Sequence, residues 1–407
     1  MFLSLLPYKK VYSLGDLIPP SVVGLKILVL GCGNVGSAIV KDLAKYLPSN
    51  QIVAADRNPD VARKVAEETG KENVSWTQAD ASKYDELVNI IKKHDLVVGA
   101  LPGSLGYISA KACVDAKVSM VDISYMPENP LTLNEAAIKA GITIVPDCGV
   151  APGLSNLLAG RGASRLDQVE GIHIVCGGLP ITPVPPLGYT ITWSVEGLID
   201  EYMRPARIVE DGKLVKKEAL SGLEIIEFPK LGKLEAFYTD GLRTLLETIK
   251  GVKSMWEKTF RYPGHVEKIK LLRDLGFFDE EPIDVENVKI VPKKVTIKLL
   301  DRKLRKPKVK DLMAMKVEVT GIKSGSKVKY VYYLLDYYDD ASKTTAMART
   351  TGYTASVVAQ LIVKGVIEDK GVIPPEKLGM NERIYKQIIE ELEKRNIKIT
   401  EIEEKVG

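Results

Sequence analysis

Lys26-Ile27-Leu28-Val29-Leu30-Gly31-Cys32-Gly33-Asn34-Val35-Gly36 is the stretch from which the fold can be read. An apolar run of strand length, Ile27 to Leu30, passes into a Gly-x-Gly-x-x-Gly turn, and a helical period follows from Val35 to Tyr46. Each glycine has a separate task. Gly31 permits the tight bend, Gly33 lets the backbone approach a phosphate, and Gly36 lets the helix pack closely on the strand. The unpaired N–H groups and the positive dipole end of the helix suit an anion. The next apolar run, Ile52 to Ala55, ends in Asp56, about 20 residues beyond Gly36, where an acid accepts hydrogen bonds from a ribose. An ordinary glycine-rich turn requires no acid at that distance. Strand, turn, helix and acid together predict a dinucleotide whose pyrophosphate sits on Gly31 to Gly36. Asp56 repels a 2′-phosphate, whereas Arg57 can pair with one or stack on adenine, so NAD is the favoured cofactor and NADP the alternative.

The same rhythm extends outward from this turn. Apolar runs at Leu96 to Ala100, Val118 to Val121 and Ile142 to Val145 alternate with helical periods at Val61 to Thr69, Tyr84 to Lys93, Tyr107 to Ala116 and Leu131 to Ala140. This is the pattern of an α/β domain of Rossmann type, a doubly wound parallel sheet. Ligands bind such sheets outside the carboxyl ends of the strands. The expected cofactor contacts are therefore Gly31, Gly33, Asn34, Val35, Gly36, Asp56 and Arg57, with Asp80, Ala81, Leu101, Pro102, Asp122, Ile123, Ser124 and Gly149 from the later strand ends.

After Pro152 the rhythm breaks, and Pro180, Pro183, Pro185 and Pro186 crowd together where neither a central strand nor a helix interior can form. Val317 to Thr320 and Lys327 to Tyr332 then alternate polar and apolar residues around Ser324-Gly325-Ser326, as an antiparallel hairpin with one wet face does. A long apolar helix, Ala355 to Val363, restores the first domain's character. The expected organisation is a leader over 1–24, a dinucleotide-binding domain over 25–152, an inserted α+β mixed-sheet substrate domain over 153–342, and a segment over 343–407 returning to the first domain. Glu382 to Glu393 carries a single apolar stripe, Ile384, Ile388 and Leu392, suited to a capping or dimer-contact helix.

Composition narrows the class of partner. Lys+Arg 57 against Asp+Glu 53 leaves a net charge of +4 over 407 residues, too little to imply nucleic acid, so a small molecule is expected. The apolar start Phe2 to Leu6 is too short to span a bilayer, and no membrane partner is expected. Cys32, Cys113, Cys148 and Cys176 form no Cys-x-x-Cys pair, so no metal site or disulfide framework is indicated and a reducing cytoplasm fits. Alternating apolar strands and the amphipathic tail favour a homodimer or higher homo-oligomer.

Four of these stretches, Gly31 to Gly36, Asp56-Arg57-Asn58, Asp122-Ile123-Ser124-Tyr125 and Asp147 to Asn156, resemble the saccharopine dehydrogenase/reductase family, and the resemblance extends through nearly the whole chain after residue 25. Within that family, Gly188 to Ser194, Tyr238 to Thr244 and Arg349 to Tyr353 are most similar to the lysine 6-dehydrogenase branch. The resemblance implies oxidative deamination. Hydride leaves the ε-carbon of L-lysine for NAD, the imine is hydrolysed, and the 6-semialdehyde cyclises to piperideine-6-carboxylate.

That chemistry sets a requirement. An ammonium has no lone pair to expel hydride, and holding an amine of pKa about 10.4 neutral at pH 7 costs roughly 4–5 kcal/mol. A base, an apolar pocket or alkaline conditions must supply it. His265, set among polar and aromatic residues in Phe260 to His265, is the candidate base, and Asp240 or Glu196 the candidate amine holder. Arg243 is the candidate clamp for the substrate carboxylate, with Thr239 beside it; Tyr125, Trp193 and Tyr262 are candidate pocket walls. Two other readings compete: a reductase or dehydrogenase acting on a secondary amine such as saccharopine or carboxynorspermidine, and a non-catalytic NAD-binding sensor.

Overall fold

The computed structural model describes residues 24–306 and 308–405, so the expected leader lies almost wholly outside the described residues. Six strands, β1 (Lys26–Leu30), β2 (Gln51–Asp56), β3 (Val74–Gln78), β4 (Leu96–Gly99), β5 (Ser119–Asp122) and β6 (Thr143–Val145), form a parallel sheet in the order β6-β5-β4-β1-β2-β3. Ile27 to Leu30 are at most 1% exposed because helices cover both faces, which is why this strand reads as a continuous apolar run. Each such side chain contributes about 1.5–3 kcal/mol by leaving water. β1 pairs with β2 on one side and β4 on the other. Chain order therefore reverses between β1 and β4, and a crevice opens at the carboxyl ends of these strands.

The second sheet is built on β7 (Gln168–Pro180), β8 (Ala206–Glu210), β9 (Lys213–Lys217), β10 (Glu224–Phe228), β11 (Gly232–Tyr238) and β12 (Ser254–Arg261). A separate small hairpin, β13 (Ile283–Val285) and β14 (Val288–Ile290), is followed by β15 (Asp311–Lys323) and β16 (Ser326–Tyr337). β7 lies at the centre, parallel to β12 and antiparallel to β15, so the sheet is mixed. The proline cluster begins where β7 ends. β15 and β16 are joined through Ser324 and Gly325, both at positive φ (49° and 77°), with Lys323 paired to Ser326. A two-residue turn of that hand matches the twist of the strands.

The helix Ala346–Val363 starts well before the expected Ala355, capped by the Thr345 side chain on the Ala348 N–H. Two threonines and Gly352 hide its first turns from a propensity reading. Gly352 lets the two helices approach closely: a Cβ there would lie 3.1 Å from the Val35 carbonyl of the helix Asn34–Tyr46, a tight contact. Beyond it, β17 (Gly371–Val372) lies parallel to β6, adding a seventh strand to the first sheet. The last strand, β18 (Ile399–Lys405), instead pairs with β16 in the second sheet, so the carboxyl-terminal segment serves both sheets. The stripe of the helix Glu382–Glu393 is buried in the chain's own core through Ile384, Tyr385, Ile388 and Leu392.

Candidate active site

The glycine turn is shaped by contacts that exclude side chains. Gly31 has φ +95°, and a Cβ on it would lie 2.4 Å from the Ala100 carbonyl; one on Gly36 would lie 1.8 Å from the Gly31 carbonyl. Gly33 differs. It is the N-cap of the helix Asn34–Tyr46, makes no side-chain cap, and a Cβ there would meet nothing within 4 Å. The open face of the turn is thus the face where helix N–H groups are available to an anion. Asp56 braces the turn: Oδ2 accepts from the Cys32 N–H at 2.9 Å and Oδ1 from the Asn58 N–H at 2.9 Å. These features fit a dinucleotide.

A crevice of about 930 Å3 runs from this turn to the second sheet, within the size range of small-molecule sites. Apart from Asp122, every expected cofactor residue lines it. Asp122 lies beneath the floor, wholly buried, and accepts from the Ser124 N–H (3.0 Å) and hydroxyl (2.5 Å), so it shapes the loop that carries Ile123 and Ser124. Burial pushes its carboxyl up to about 6. Asn34 lines the crevice and also donates to the Thr192 carbonyl at 3.3 Å, joining the turn to the opposite wall.

Among the expected substrate residues, Glu196, Thr239, Tyr125 and Trp193 line the crevice and the others do not. His265 is 1% exposed. Its Nδ1 lies 2.9 Å from the Leu187 carbonyl and its Nε2 2.8 Å from the Tyr202 hydroxyl. A carbonyl only accepts, so Nδ1 carries the proton and Nε2 accepts from Tyr202. With both nitrogens engaged, and burial pulling the ring's pKa down to about 3, His265 is a neutral core histidine and not the base. Asp240 is held bidentately by Arg207 (2.9 and 2.9 Å), which removes it as amine holder.

Arg243 is buried. It donates from Nε to Asp147 at 3.0 Å and from Nη2 to the Met126 carbonyl at 2.6 Å. It ties the loop after β11 to the ends of β5 and β6 and cannot clamp a substrate. Tyr262 donates to the Pro180 and Ile181 carbonyls, pinning the end of β7. In each case a polar residue expected in the pocket is satisfied by the protein itself, as buried polar groups must be.

What the second sheet does present is a polar face of β12. Glu257, Thr259 and Arg261 alternate along the strand and all line the crevice. Glu257 is 3% exposed. It accepts from the Thr239 hydroxyl, from the Gly241 N–H (3.2 Å) and from the Cys176 thiol (3.2 Å). Burial is the largest influence on it and pushes its carboxyl up to about 7. Arg261 pairs with Glu201 at 2.8 Å, both largely buried, and lies over the Tyr189 ring. Glu257, Thr259 and Arg261 share one face by their i, i+2 spacing, but only the pairing of β12 with β7 shows that this face lines the crevice.

Two family descriptions match in tandem: the saccharopine dehydrogenase NADP binding domain over residues 27–145 and the saccharopine dehydrogenase C-terminal domain over residues 149–397. The chain belongs to the saccharopine dehydrogenase family. It is 25% identical over 447 residues to the mitochondrial alpha-aminoadipic semialdehyde synthase of Rattus norvegicus, covering 91% of this chain and 47% of the relative. It thus spans about half the length of that relative. It is 25% identical over 391 residues to carboxynorspermidine synthase of Vibrio cholerae, covering 87% and 92% of the two chains. A solved structure of saccharopine dehydrogenase (L-Glu forming) from Saccharomyces cerevisiae shares the fold, with a TM-score of 0.75 at 20% identity, covering 94% of this chain and 100% of that one.

In this family member the two ends of the crevice differ in chemistry. The first sheet offers glycines, helix N–H groups and the acids Asp56 and Asp80, which suit a phosphate pair and a ribose. The second sheet offers carboxylates, hydroxyls and aromatic walls. Trp193 donates to the Tyr189 hydroxyl at 3.1 Å, and Tyr125, at φ +53°, lies under the Arg204 guanidinium at 4.4 Å. Among the described residues no group of three or more metal-ligating side chains occurs, and no helix is long and apolar enough to cross a membrane.

Proposed function

We propose that this family member oxidises the ε-amine carbon of L-lysine with NAD as hydride acceptor, giving the 6-semialdehyde that cyclises to piperideine-6-carboxylate. The observation that carries this reading is the charge of the second-sheet end of the crevice. Five acids line it, Glu196, Asp200, Glu201, Glu257 and Asp301, against Arg261, Lys298 and Arg305. Arg261 is neutralised by Glu201, Arg305 by Asp301, and Asp200 by Lys293 just outside the crevice, which leaves Glu196 and Glu257 against Lys298. An acidic wall attracts an ammonium and repels a substrate rich in carboxylates. Lys298 is then the cation at this end that matches a single α-carboxylate.

The bound dinucleotide supplies the hydride-accepting ring. The chain's own residues do the rest. The Gly31 to Gly36 turn holds the pyrophosphate, Asp56 accepts from the adenosine ribose and disfavours a 2′-phosphate, and Trp193 and Tyr189 limit water around the reacting carbon. The carboxylates hold the substrate nitrogen.

A second reading, oxidation or formation of a secondary amine, draws on the names of the relatives, among them a carboxynorspermidine synthase and a saccharopine dehydrogenase. Initial rates with L-lysine, with saccharopine, and with an aldehyde plus an amino acid, each with NAD and NADP, separate the readings. We expect L-lysine and NAD alone to suffice. Turnover only with the secondary amine, or only with aldehyde plus amino acid, would establish the second reading, and cofactor binding without any turnover would establish a sensor.

A further inference from the structure

We infer that Glu257 is the group that takes the proton from the substrate ammonium, and that Thr239, Cys176 and the Gly241 N–H hold its carboxylate for that task. The inference rests on the proposed amine oxidation and deepens it. Three observations converge on this side chain. It lines the same crevice as Ile123 and Ser124, which lie at the carboxyl end of a first-sheet strand, where ligands of such sheets bind. It is buried without a cationic partner: Arg261, four residues along the same strand, is committed to Glu201, and the three groups that bond Glu257 are neutral. Gly241 is glycine in contact with it, since a Cβ there would lie 2.6 Å from the Glu257 carboxyl carbon. A buried carboxylate given three hydrogen bonds and no counter-ion is set to receive either a cation or a proton.

The groups that face it from the packed elements are Glu201 on the helix Val195–Met203, Cys176 on β7, Thr239 and the Gly241 N–H after β11, and Tyr125 after β5, while Thr259 and Arg261 stand on its own strand. Burial, helped by Glu201, raises the Glu257 carboxyl into the neutral range, where general bases work best. In the step, an N–H bond of the ammonium breaks and its proton goes to a Glu257 oxygen. The nitrogen pair then forms the C=N bond as the ε-carbon C–H bond breaks and its electron pair leaves with hydrogen to the nicotinamide. Substrate carbon is oxidised by two electrons and the dinucleotide reduced by two. Water adds to the C=N carbon, its two protons pass to the nitrogen, which leaves as ammonium while the water oxygen becomes the carbonyl oxygen, and the proton held by Glu257 is released to solvent.

The test is the pH dependence of kcat with L-lysine and NAD for the wild type, Glu257→Gln and Thr239→Val, with NAD binding measured on each. The wild type should show an acid limb near or below 7 and a plateau above it. Glu257→Gln should bind NAD as the wild type does, lose at least 100-fold in kcat at pH 7, and regain activity steadily towards pH 10 as free amine forms in solution. Thr239→Val removes a donor to the carboxylate, so its acid limb should move to higher pH. Glu257→Gln with the wild-type profile would overturn the inference. Should that variant fail to fold, an unmoved limb in Thr239→Val would overturn it instead. A wild type with no lysine turnover would overturn the amine-oxidation reading, and Glu257's role with it, whereas wild-type turnover with unchanged variants would overturn the role of Glu257 alone.

Discussion

Glu257 and His265 are near neighbours in sequence and opposite in character. His265 has the better side chain for a base, but its partners Leu187 and Tyr202 consume both nitrogens inside the second domain's core. Glu257 looks like a solvated strand residue in the sequence and is buried against the crevice. Its unusual carboxyl has a consequence for stability. An unfolded glutamate ionises near 4.5, and the folded one near 7. Between those values the folded state keeps a proton that the unfolded state releases, so stability falls as pH rises from about 4.5 to about 7 and is level above. Asp122 and Glu376, both pushed up to about 6 by burial, act in the same direction. Glu257→Gln removes its share. Its Tm should therefore gain on the wild type by a few degrees more at pH 8 than at pH 5; thermal melts with the same difference at both pH values would contradict this burial effect. Arg243 teaches the same lesson as His265. Its sequence context suits a carboxylate clamp, but its partner Asp147 comes from a segment remote in the chain, and only the fold reveals the pairing.

At the scale of elements, the first sheet was legible because its signals are local. Strand, glycine turn, helix and acid lie within a short stretch, and the spacing from Gly36 to Asp56 reports one βαβ unit. β12 was not, since its period-2 face becomes meaningful only when β7 is known to lie beside it. The start of the helix Ala346–Val363 was missed because packing on the helix Asn34–Tyr46 outweighs the weak propensity of Thr350, Thr351 and Gly352. The glycine turn separates fold from binding in a way that can be measured. Gly33→Ala places a methyl in open space at a φ of −68°, so Tm should stay within about 2 °C of the wild type. The methyl also stands where the pyrophosphate must approach, and the Kd for NAD should rise at least tenfold. Unaltered affinity, measured by titrating the reduced dinucleotide's fluorescence, would move the cofactor off this turn.

For the whole molecule, two sheets divide the labour. The first, with glycines and helix N-termini at its strand ends, receives phosphates; the second closes over the far end with carboxylates, hydroxyls and aromatic rings. Arg243 with Asp147, and Asn34 with Thr192, join the two walls. The acidic balance of the second wall is a property of the assembled crevice, since Glu196, on the helix Val195–Met203, and Glu257, on β12, come from separate elements. The proposed preference for a cationic amine rests on this balance. The most direct measurement uses L-lysine carrying two deuterium atoms on its ε-carbon, incubated with the chain and NAD, with the reduced dinucleotide analysed by mass spectrometry. Amine oxidation at that carbon predicts one deuterium in each reduced dinucleotide, formed in step with the cyclised product. Reduced dinucleotide without deuterium, or none formed unless a secondary amine is supplied, would contradict it.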